Sequence, residues 1–141
     1  MVDLSGKVAL VTGGAAGIGR ATALLLARSG AAVAVVDLDA AGGKAVAREI
    51  EAAGGRGLFI RGDVSREDDC RHAVERTVAE MGGLHILFNN AGIIRRATVL
   101  DTTVEEWDRL MAVNVRSVFM LSKYALPHIC LLYTSDAADD L

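Results

Sequence analysis

The 141-residue sequence predicts an α/β protein with a doubly wound parallel sheet that is truncated after about four strands. Short apolar runs without alternation recur along the chain, as is typical of strands buried on both faces. A segment with helical apolar periodicity follows each run. Glycine and polar residues collect after the runs, where open sheets of this class bind their ligands.

Strand and helix signals alternate in chain order. The first helix is expected to carry Ile18, Ala21 and Leu25 on one face, because they recur at helical spacing. Capping-box patterns at Ser65 and Thr103 indicate two further helix starts. The predicted strands cover residues 7–11, 32–36, 57–61 and 84–88, and the predicted helices cover 17–28, 40–53, 65–82 and 103–125.

A glycine-rich bend after the first strand is the predicted phosphate site. Its glycines at positions 13, 14, 17 and 19 allow tight turning, and the helix start behind them offers unpaired N–H groups to an anion. The glycines alone leave a turn without a ligand open as an alternative. Asp37 ends the second strand, where a carboxylate accepts hydrogen bonds from an adenosine ribose and repels a 2′-phosphate. The bend and Asp37 together favour a nucleotide site.

Composition excludes several functional classes. The net charge is −3 and no basic stripe is present, which argues against nucleic acid. The apolar runs are too short for a membrane span, and the first residues do not form a secretory signal. Cys70 and Cys130 form no CxxC pair, so we expect reduced thiols and a cytoplasmic protein. His72, His85 and His128 share no ligand spacing, which predicts no metal site.

Asn114 is the polar member of a predicted apolar helical stripe that includes Trp107, Leu121 and Ala125. A buried amide is costly unless it is hydrogen-bonded. From the pattern alone, a satisfied core amide is favoured over a functional one.

Four motifs in order resemble the short-chain dehydrogenase/reductase family, in its compact single-domain branch. The resemblance covers about residues 4–128. It rests on Thr12-Gly13-x-x-x-Gly17-x-Gly19, Asp63 after the third strand, Asn89-Asn90-Ala91-Gly92 after the fourth, and Asn114 in the following helix. The resemblance implies a Rossmann-like fold and an NAD(P)-dependent oxidoreductase that moves hydride between nicotinamide and a small alcohol or carbonyl substrate. It also implies a homo-oligomer in the full-length protein.

The resemblance also implies roles for individual residues. Thr12, Gly13, Gly17, Ile18 and Gly19 would hold the cofactor pyrophosphate, Ile18 through its backbone. Asp37 would select NAD over NADP, and Ala16 agrees because NADP-preferring relatives often have a basic residue there. Asp63 would contact the adenine amino group and Val64 would pack on the ring. Asn90 and Gly92 would border the cofactor, with a structural role for Asn89 and Asn90 equally open. Asn114 would be the asparagine of the catalytic tetrad, fixing a water in a proton relay.

The family's catalytic tyrosine, followed four positions later by lysine, is missing. Tyr124 is followed at that spacing by His128, and Tyr133 by Ala137. Tyrosine has a pKa of about 10 and needs a nearby cation to ionise at neutral pH. We therefore expect this chain to be inactive, as part of a parent oxidoreductase. A non-enzymatic nucleotide-binding fragment, or an unfolded one, is the alternative.

The chain is predicted to consist of two parts, divided where the resemblance to the family ends. Residues 1–128 are expected to form the N-terminal part of a single dinucleotide-binding domain. Residues 129–141 resemble the translated read-through of a sequencing adapter, with a genuine short acidic tail as the alternative. Without the family's later strands, the fourth strand would be an open edge. The residues expected to lose cover there are Leu84, Ile86, Leu87 and Phe88.

Overall fold

The computed structural model describes residues 2–129. These residues form one four-stranded parallel sheet in the order β3-β2-β1-β4, so the predicted α/β class is confirmed. In chain order the elements are β1 (Val8–Thr12), α1 (Gly17–Arg28), β2 (Ala32–Asp37), α2 (Ala40–Ala52), β3 (Gly57–Arg61), α3 (Glu67–Met81), β4 (Ile86–Phe88), α4 (Val104–Met111), a π-helical turn (Ala112–Arg116) and α5 (Ser117–Ile129). The tail predicted over 129–141 lies outside the described residues, apart from Ile129 at the end of α5.

Helices cover both faces of the sheet. Successive residues of a strand point to opposite faces, so Leu10 joins a core cluster with α3 and α5 while Val11 joins another with α1 and α2. Both residues are fully buried. This two-sided burial explains why the strands read as continuous apolar runs.

The direction in which successive strands are added to the sheet reverses after β3. The first three strands are added outward from β1, and β4 then pairs with the other side of β1. In open α/β sheets, a crevice for ligands lies at such a switch point, beyond the carboxyl ends of the strands. The four loops that follow the strands therefore meet at one edge of the sheet.

The face of α1 that carries Ile18, Ala21 and Leu25 is exposed. Ile18 is 73% exposed and Leu25 is 51% exposed, whereas Gly19 and Ala23 are buried. Small residues face the sheet because α1 starts in close contact with the bend, and a side chain at Gly19 would not fit there. The helical spacing predicted α1, but it did not predict which face packs on the sheet.

One of the two predicted capping boxes is present. In α4, Glu106 N donates to Thr103 Oγ1 at 3.2 Å and Thr103 N donates to Glu106 Oε2 at 3.0 Å. The box predicted at Ser65 is wrong, since α3 begins at Glu67 and has no side-chain cap. The Ser65 hydroxyl donates instead to the preceding Asp63.

The long helix predicted over 103–125 is divided by the π-helical turn. A π turn adds a residue to the helical repeat and so rotates everything after it. As a result the predicted apolar stripe does not stay on one face: Leu121 and Ala125 are buried, whereas Trp107 is 57% exposed and Asn114 is exposed. Asn114 is therefore not the buried core amide that the pattern favoured.

Within residues 2–129, β4 is an edge strand, as predicted. Its residues Ile86, Leu87 and Phe88 are half-buried. The expected loss of cover at Leu84 is wrong, because Leu84 precedes the strand and is buried in the core cluster with α3 and α5.

Candidate functional site

A cleft of about 350 Å³ lies at the carboxyl edge of the sheet, a volume within the range of small-molecule sites. The loops after all four strands line it, together with α4 and the π-helical turn. We call this space the cleft. Its lining residues are Gly13, Ala16, Val36, Asp37, Leu38, Gly62, Asp63, Val64, Ser65, Asn90, Ala91, Gly92, Ile93, Arg109 and Val113.

Asp37 is hydrogen-bonded to the glycine-rich bend. Ala15 N donates to Asp37 Oδ2 at 3.0 Å, and Asp39 N donates to Oδ1 at 3.0 Å. Gly13 N also donates to Val36 O at 2.8 Å. The bend and the end of β2 are thus held as one unit on the same wall of the cleft.

Two glycines of the bend are needed for different reasons. Gly13 has φ +63°, a left-handed conformation that favours glycine. A Cβ on Gly19 would lie 2.2 Å from Gly13 O and 2.5 Å from Asn90 Nδ2. The motif therefore lets α1 start in direct contact with the bend and with the loop after β4.

Thr12 and Asn90 join the ends of β1 and β4. The Thr12 Oγ1 atom accepts hydrogen bonds from Asn90 N at 3.1 Å and Ala91 N at 3.0 Å. Asn90 Nδ2 donates to Thr12 O at 3.1 Å and Gly13 O at 3.2 Å. Asn90 consequently has a structural role, and its position on the cleft also allows it to border a ligand.

The loop after β3 presents an ordered carboxylate. Ser65 N and Ser65 Oγ both donate to Asp63 Oδ1, at 2.9 and 2.6 Å. The Ser65 hydroxyl is the main cause that holds the pKa of Asp63 below its ordinary value. Beside it, Val64 O accepts from the buried Cys70 thiol at 3.2 Å, and burial raises the pKa of Cys70 to about 11. Cys70 therefore stays a protonated, structural thiol.

Asn114 is hydrogen-bonded through both ends of its amide to the backbone of Ile93. Ile93 N donates to Asn114 Oδ1 at 2.8 Å, and Asn114 Nδ2 donates to Ile93 O at 2.8 Å. This pairing ties the π-helical turn to the loop after β4. The side chain thus positions that loop, and its role in fixing a water stays a prediction.

The sequence profile of the short chain dehydrogenase family matches residues 7–136. The chain belongs to this family. It is 42% identical over 125 residues to an uncharacterized oxidoreductase of Thermotoga maritima, covering 89% of this chain and 49% of that protein. A dehydrogenase/reductase of Sinorhizobium meliloti 1021 matches with a TM-score of 0.87 and 46% identity, over 90% of this chain and 51% of its own.

A third similar protein carries a cofactor. A short chain dehydrogenase of Burkholderia cenocepacia J2315 in complex with NADP matches with a TM-score of 0.87 and 44% identity, over 89% of this chain and 52% of its own. The family is one of NAD(P)-binding oxidoreductases, but the NADP complex gives no support to the predicted preference for NAD. The chain spans about half the length of the relatives it matches.

The structure brings together most of the residues predicted for an NAD(P) site in this member of the short chain dehydrogenase family. Six of them line the cleft, namely Gly13, Asp37, Asp63, Val64, Asn90 and Gly92. Thr12, Gly17, Ile18 and Gly19 lie in or next to the bend, and Asn114 Oδ1 would be 3.3 Å from a Cβ on Gly92. Their individual roles stay predictions.

Sequence reasoning missed Leu38, Ser65, Arg109 and Val113, which also line the cleft. Arg109 and Val113 are one helical turn apart, but only the tertiary fold brings that turn to the carboxyl edge of the sheet. The sequence predicted Ser65 as a helix cap. Its hydroxyl donates instead to Asp63, and the local spacing does not distinguish these two roles.

Within residues 2–129, no group of three or more His, Cys, Asp or Glu side chains is arranged to hold a metal ion. None of the helices in this part of the chain has both the length and the apolar character needed to cross a membrane.

Proposed function

We propose that this chain supplies the adenosine-binding part of an NAD-dependent oxidoreductase whose substrate is a small alcohol or carbonyl compound. In this proposal residues 1–128 belong to a single dinucleotide-binding domain that continues in the full-length protein. The observation that carries it is the hydrogen bond from Ala15 N to Asp37 Oδ2. This bond supports the proposal, because it joins the bend that would bind the phosphates to the carboxylate that would bind the ribose, at one wall of the cleft.

The start of α1 is suited to the cofactor pyrophosphate. Its N-cap residue Ala16 provides no side-chain hydrogen bond, and the first turn contains no acidic residue. The N–H groups of Gly17, Ile18 and Gly19 are therefore left without a capping side chain, at the positive end of the helix dipole. An anion satisfies such donors directly.

Asp37 would select the ribose. An ionised carboxylate has about four acceptor positions, and Ala15 N and Asp39 N occupy two of them. The remaining positions can accept the 2′- and 3′-hydroxyls of the ribose. A 2′-phosphate would place a second negative charge against the carboxylate, and we therefore propose NAD as the preferred cofactor.

The adenine ring would lie between the loop after β3 and the π-helical turn. Val64 and Val113 supply apolar walls to this part of the cleft, and Asp63 supplies an acceptor for the adenine amino group. Leu38 is 56% exposed beside Asp37, so covering it with a ring would remove apolar surface from water.

The proposed hydride transfer needs a proton donor that residues 2–129 do not supply. The Tyr124 hydroxyl donates to Glu67 at 2.6 Å, and this bond raises the pKa of Tyr124. A catalytic tyrosine needs the opposite shift. We propose that the catalytic groups belong to the remainder of the full-length protein, which we also expect to be a homo-oligomer. Dinucleotide binding without turnover is the second candidate for this chain alone.

Replacing Asp37 tests the cofactor preference. We expect D37S to weaken NAD binding about tenfold, as loss of a hydrogen bond to a charged group does, and to narrow the difference between NAD and NADP. Affinities for both dinucleotides are measured by ligand-observed NMR titration. E51Q is the matched control, because it removes one exposed carboxylate on α2 away from the cleft. Equal affinity of the unmodified chain for NAD and NADP would contradict the proposed preference.

A further inference from the structure

The two carboxylate oxygens of Asp63 have different environments. Oδ1 accepts both hydrogen bonds of Ser65, one from the backbone and one from the hydroxyl. Oδ2 accepts no hydrogen bond and no ion pair from any side chain or backbone group in residues 2–129. Because Asp63 lines the cleft, Oδ2 is the oxygen left for a ligand there.

The loop that carries Asp63 is fixed at three further points. Asp63 N donates to Asp69 Oδ2 at 2.8 Å, and Cys70 Sγ donates to Val64 O at 3.2 Å. Arg116 Nη2, in the π-helical turn, donates to Ser65 O at 3.0 Å. The backbone of 63–65 is thus held from α3 and from the π-helical turn. The Ser65 hydroxyl is the group that acts on the carboxylate itself.

We propose that Ser65 is a positioning residue that makes the cleft select a 6-aminopurine over a 6-oxopurine. This rests on the proposed function, because it assumes that the adenosine end of a dinucleotide occupies the cleft. By occupying Oδ1, Ser65 orients the carboxylate and leaves one defined acceptor. The amino group of adenine donates to that acceptor, whereas the 6-oxo group of hypoxanthine places an acceptor against it.

The selection requires Asp63 to be ionised, because a protonated carboxyl could donate to a 6-oxo group. The charges around Asp63 favour the ionised form on balance. The hydrogen bond from the Ser65 hydroxyl is the largest cause that lowers its pKa, and the Ser65 backbone, Arg66 and Arg109 lower the pKa further, against the opposing effect of burial. Asp37 and Asp69 are the negative groups nearby: Asp37 O accepts from Gly62 N at 3.1 Å, and Asp69 accepts from the backbone of Asp63.

The test compares two dinucleotides that differ only at position 6 of the purine, NAD and nicotinamide hypoxanthine dinucleotide. Their affinities are measured on the 141-residue chain by ligand-observed NMR titration. We expect the unmodified chain to prefer NAD by roughly tenfold, the value of one hydrogen bond to a charged group. S65A should lose most of that preference, and S65T, which keeps the hydroxyl, should restore it. If S65A does not fold, S65C makes the same comparison, because a thiol is only a weak donor.

The outcomes separate this inference from the proposed function. If Ser65 only stabilises the loop, S65A should lower the affinity for both dinucleotides by the same factor. An unchanged ratio of the two affinities would therefore overturn the inference. Equal binding of both dinucleotides by the unmodified chain would also overturn it while leaving the nucleotide site in place. No binding of either dinucleotide would remove the proposed function, and the inference with it.

Discussion

A single buried hydroxyl joins the ends of β1 and β4 where the cleft begins. Thr12 is 1% exposed, and its Oγ1 atom accepts from two consecutive backbone N–H groups, of Asn90 and Ala91. Without that oxygen, both donors would lose their partner in a part-buried region. Such a group costs about 1–3 kcal/mol.

We therefore expect T12V to lower the free energy of unfolding by about 2–4 kcal/mol, although valine matches threonine in shape. T12S is the control: it keeps the oxygen and loses one methyl group, so it should cost about 1 kcal/mol. Urea denaturation followed by circular dichroism measures both. Equal losses in the two variants would show that the hydroxyl does not support the strand ends.

The decrease in the free energy of unfolding at acidic pH should depend on Ser65. The pKa of Asp63 is lowered on folding, so its ionised form contributes stability that is complete above the ordinary aspartate pKa and is lost as the pH falls through the folded value. In S65A the pKa of Asp63 should move up toward the ordinary value. Carboxyl NMR titration of Asp63 in both chains measures this, and an unchanged pKa in S65A would contradict the assigned cause.

The residue-level roles were only partly predictable. Gly13 and Asp37 could be placed from sequence because a positive φ and a carboxylate at a strand end are local requirements. The pairing of Asn114 with Ile93 could not, since it depends on where a π turn meets a loop. Ser65 was assigned to a helix cap for the same reason, because local spacing does not decide which partner a hydroxyl takes.

The helices illustrate where periodicity holds and where it fails. In α3, Cys70, Val74, Val78 and Met81 recur at helical spacing and pack in or against one core cluster. In α1 the apolar face of Ile18, Ala21 and Leu25 is exposed, because Gly19 and Ala23 allow closer approach to the sheet than leucine does. The prediction of one continuous helix over 103–125 was also wrong, because the π-helical turn rotates α5 relative to α4.

The π-helical turn is expected to anchor the loop after β4 through Asn114. N114A removes both hydrogen bonds to Ile93, so amide hydrogen exchange at Ile93 should speed up about tenfold or more. N114D keeps the acceptor and should give an intermediate rate. Exchange at Val33 in the centre of the sheet is the internal reference. If Ile93 exchanged at the same rate in all three chains, Asn114 would not hold this loop.

At the scale of the whole molecule, β4 is an open edge of the sheet within residues 2–129. Its residues are half-buried, and Asn89 Oδ1 is buried without a hydrogen-bond partner in this part of the chain. Both features support the proposal that further chain covers β4 in the full-length protein, and the relatives are about twice as long. The parallel sheet and the site at its carboxyl edge could be predicted from the apolar runs and the motifs at the strand ends. The burial of Leu84 could not, because it depends on the packing of α3 and α5.

We expect the 141-residue chain to show no NAD- or NADP-dependent turnover of any alcohol or carbonyl compound. The reason is that the described part has no tyrosine followed four positions later by a lysine, and that the hydrogen bond to Glu67 raises the pKa of Tyr124 although Lys123 lies beside it. A positioned general acid contributes about 10²–10⁴ in rate. Absorbance of the reduced nicotinamide is followed with purified chain, against a protein-free control and a heat-treated sample. Turnover above both controls, reproduced in independent preparations, would show that this chain carries its own proton donor.

The most direct measurement is an amide NMR titration of the isotopically labelled chain with NAD. The account predicts saturable shifts concentrated at the bend around Ala15, at Asp37 and at residues 63–65, and weaker effects with NADP. Shifts at those positions should shrink together in D37S, because the bend and the carboxylate form one wall of the cleft. A titration with no saturable change, or with changes confined to surfaces outside the cleft, would contradict the proposal that this edge of the sheet binds a dinucleotide.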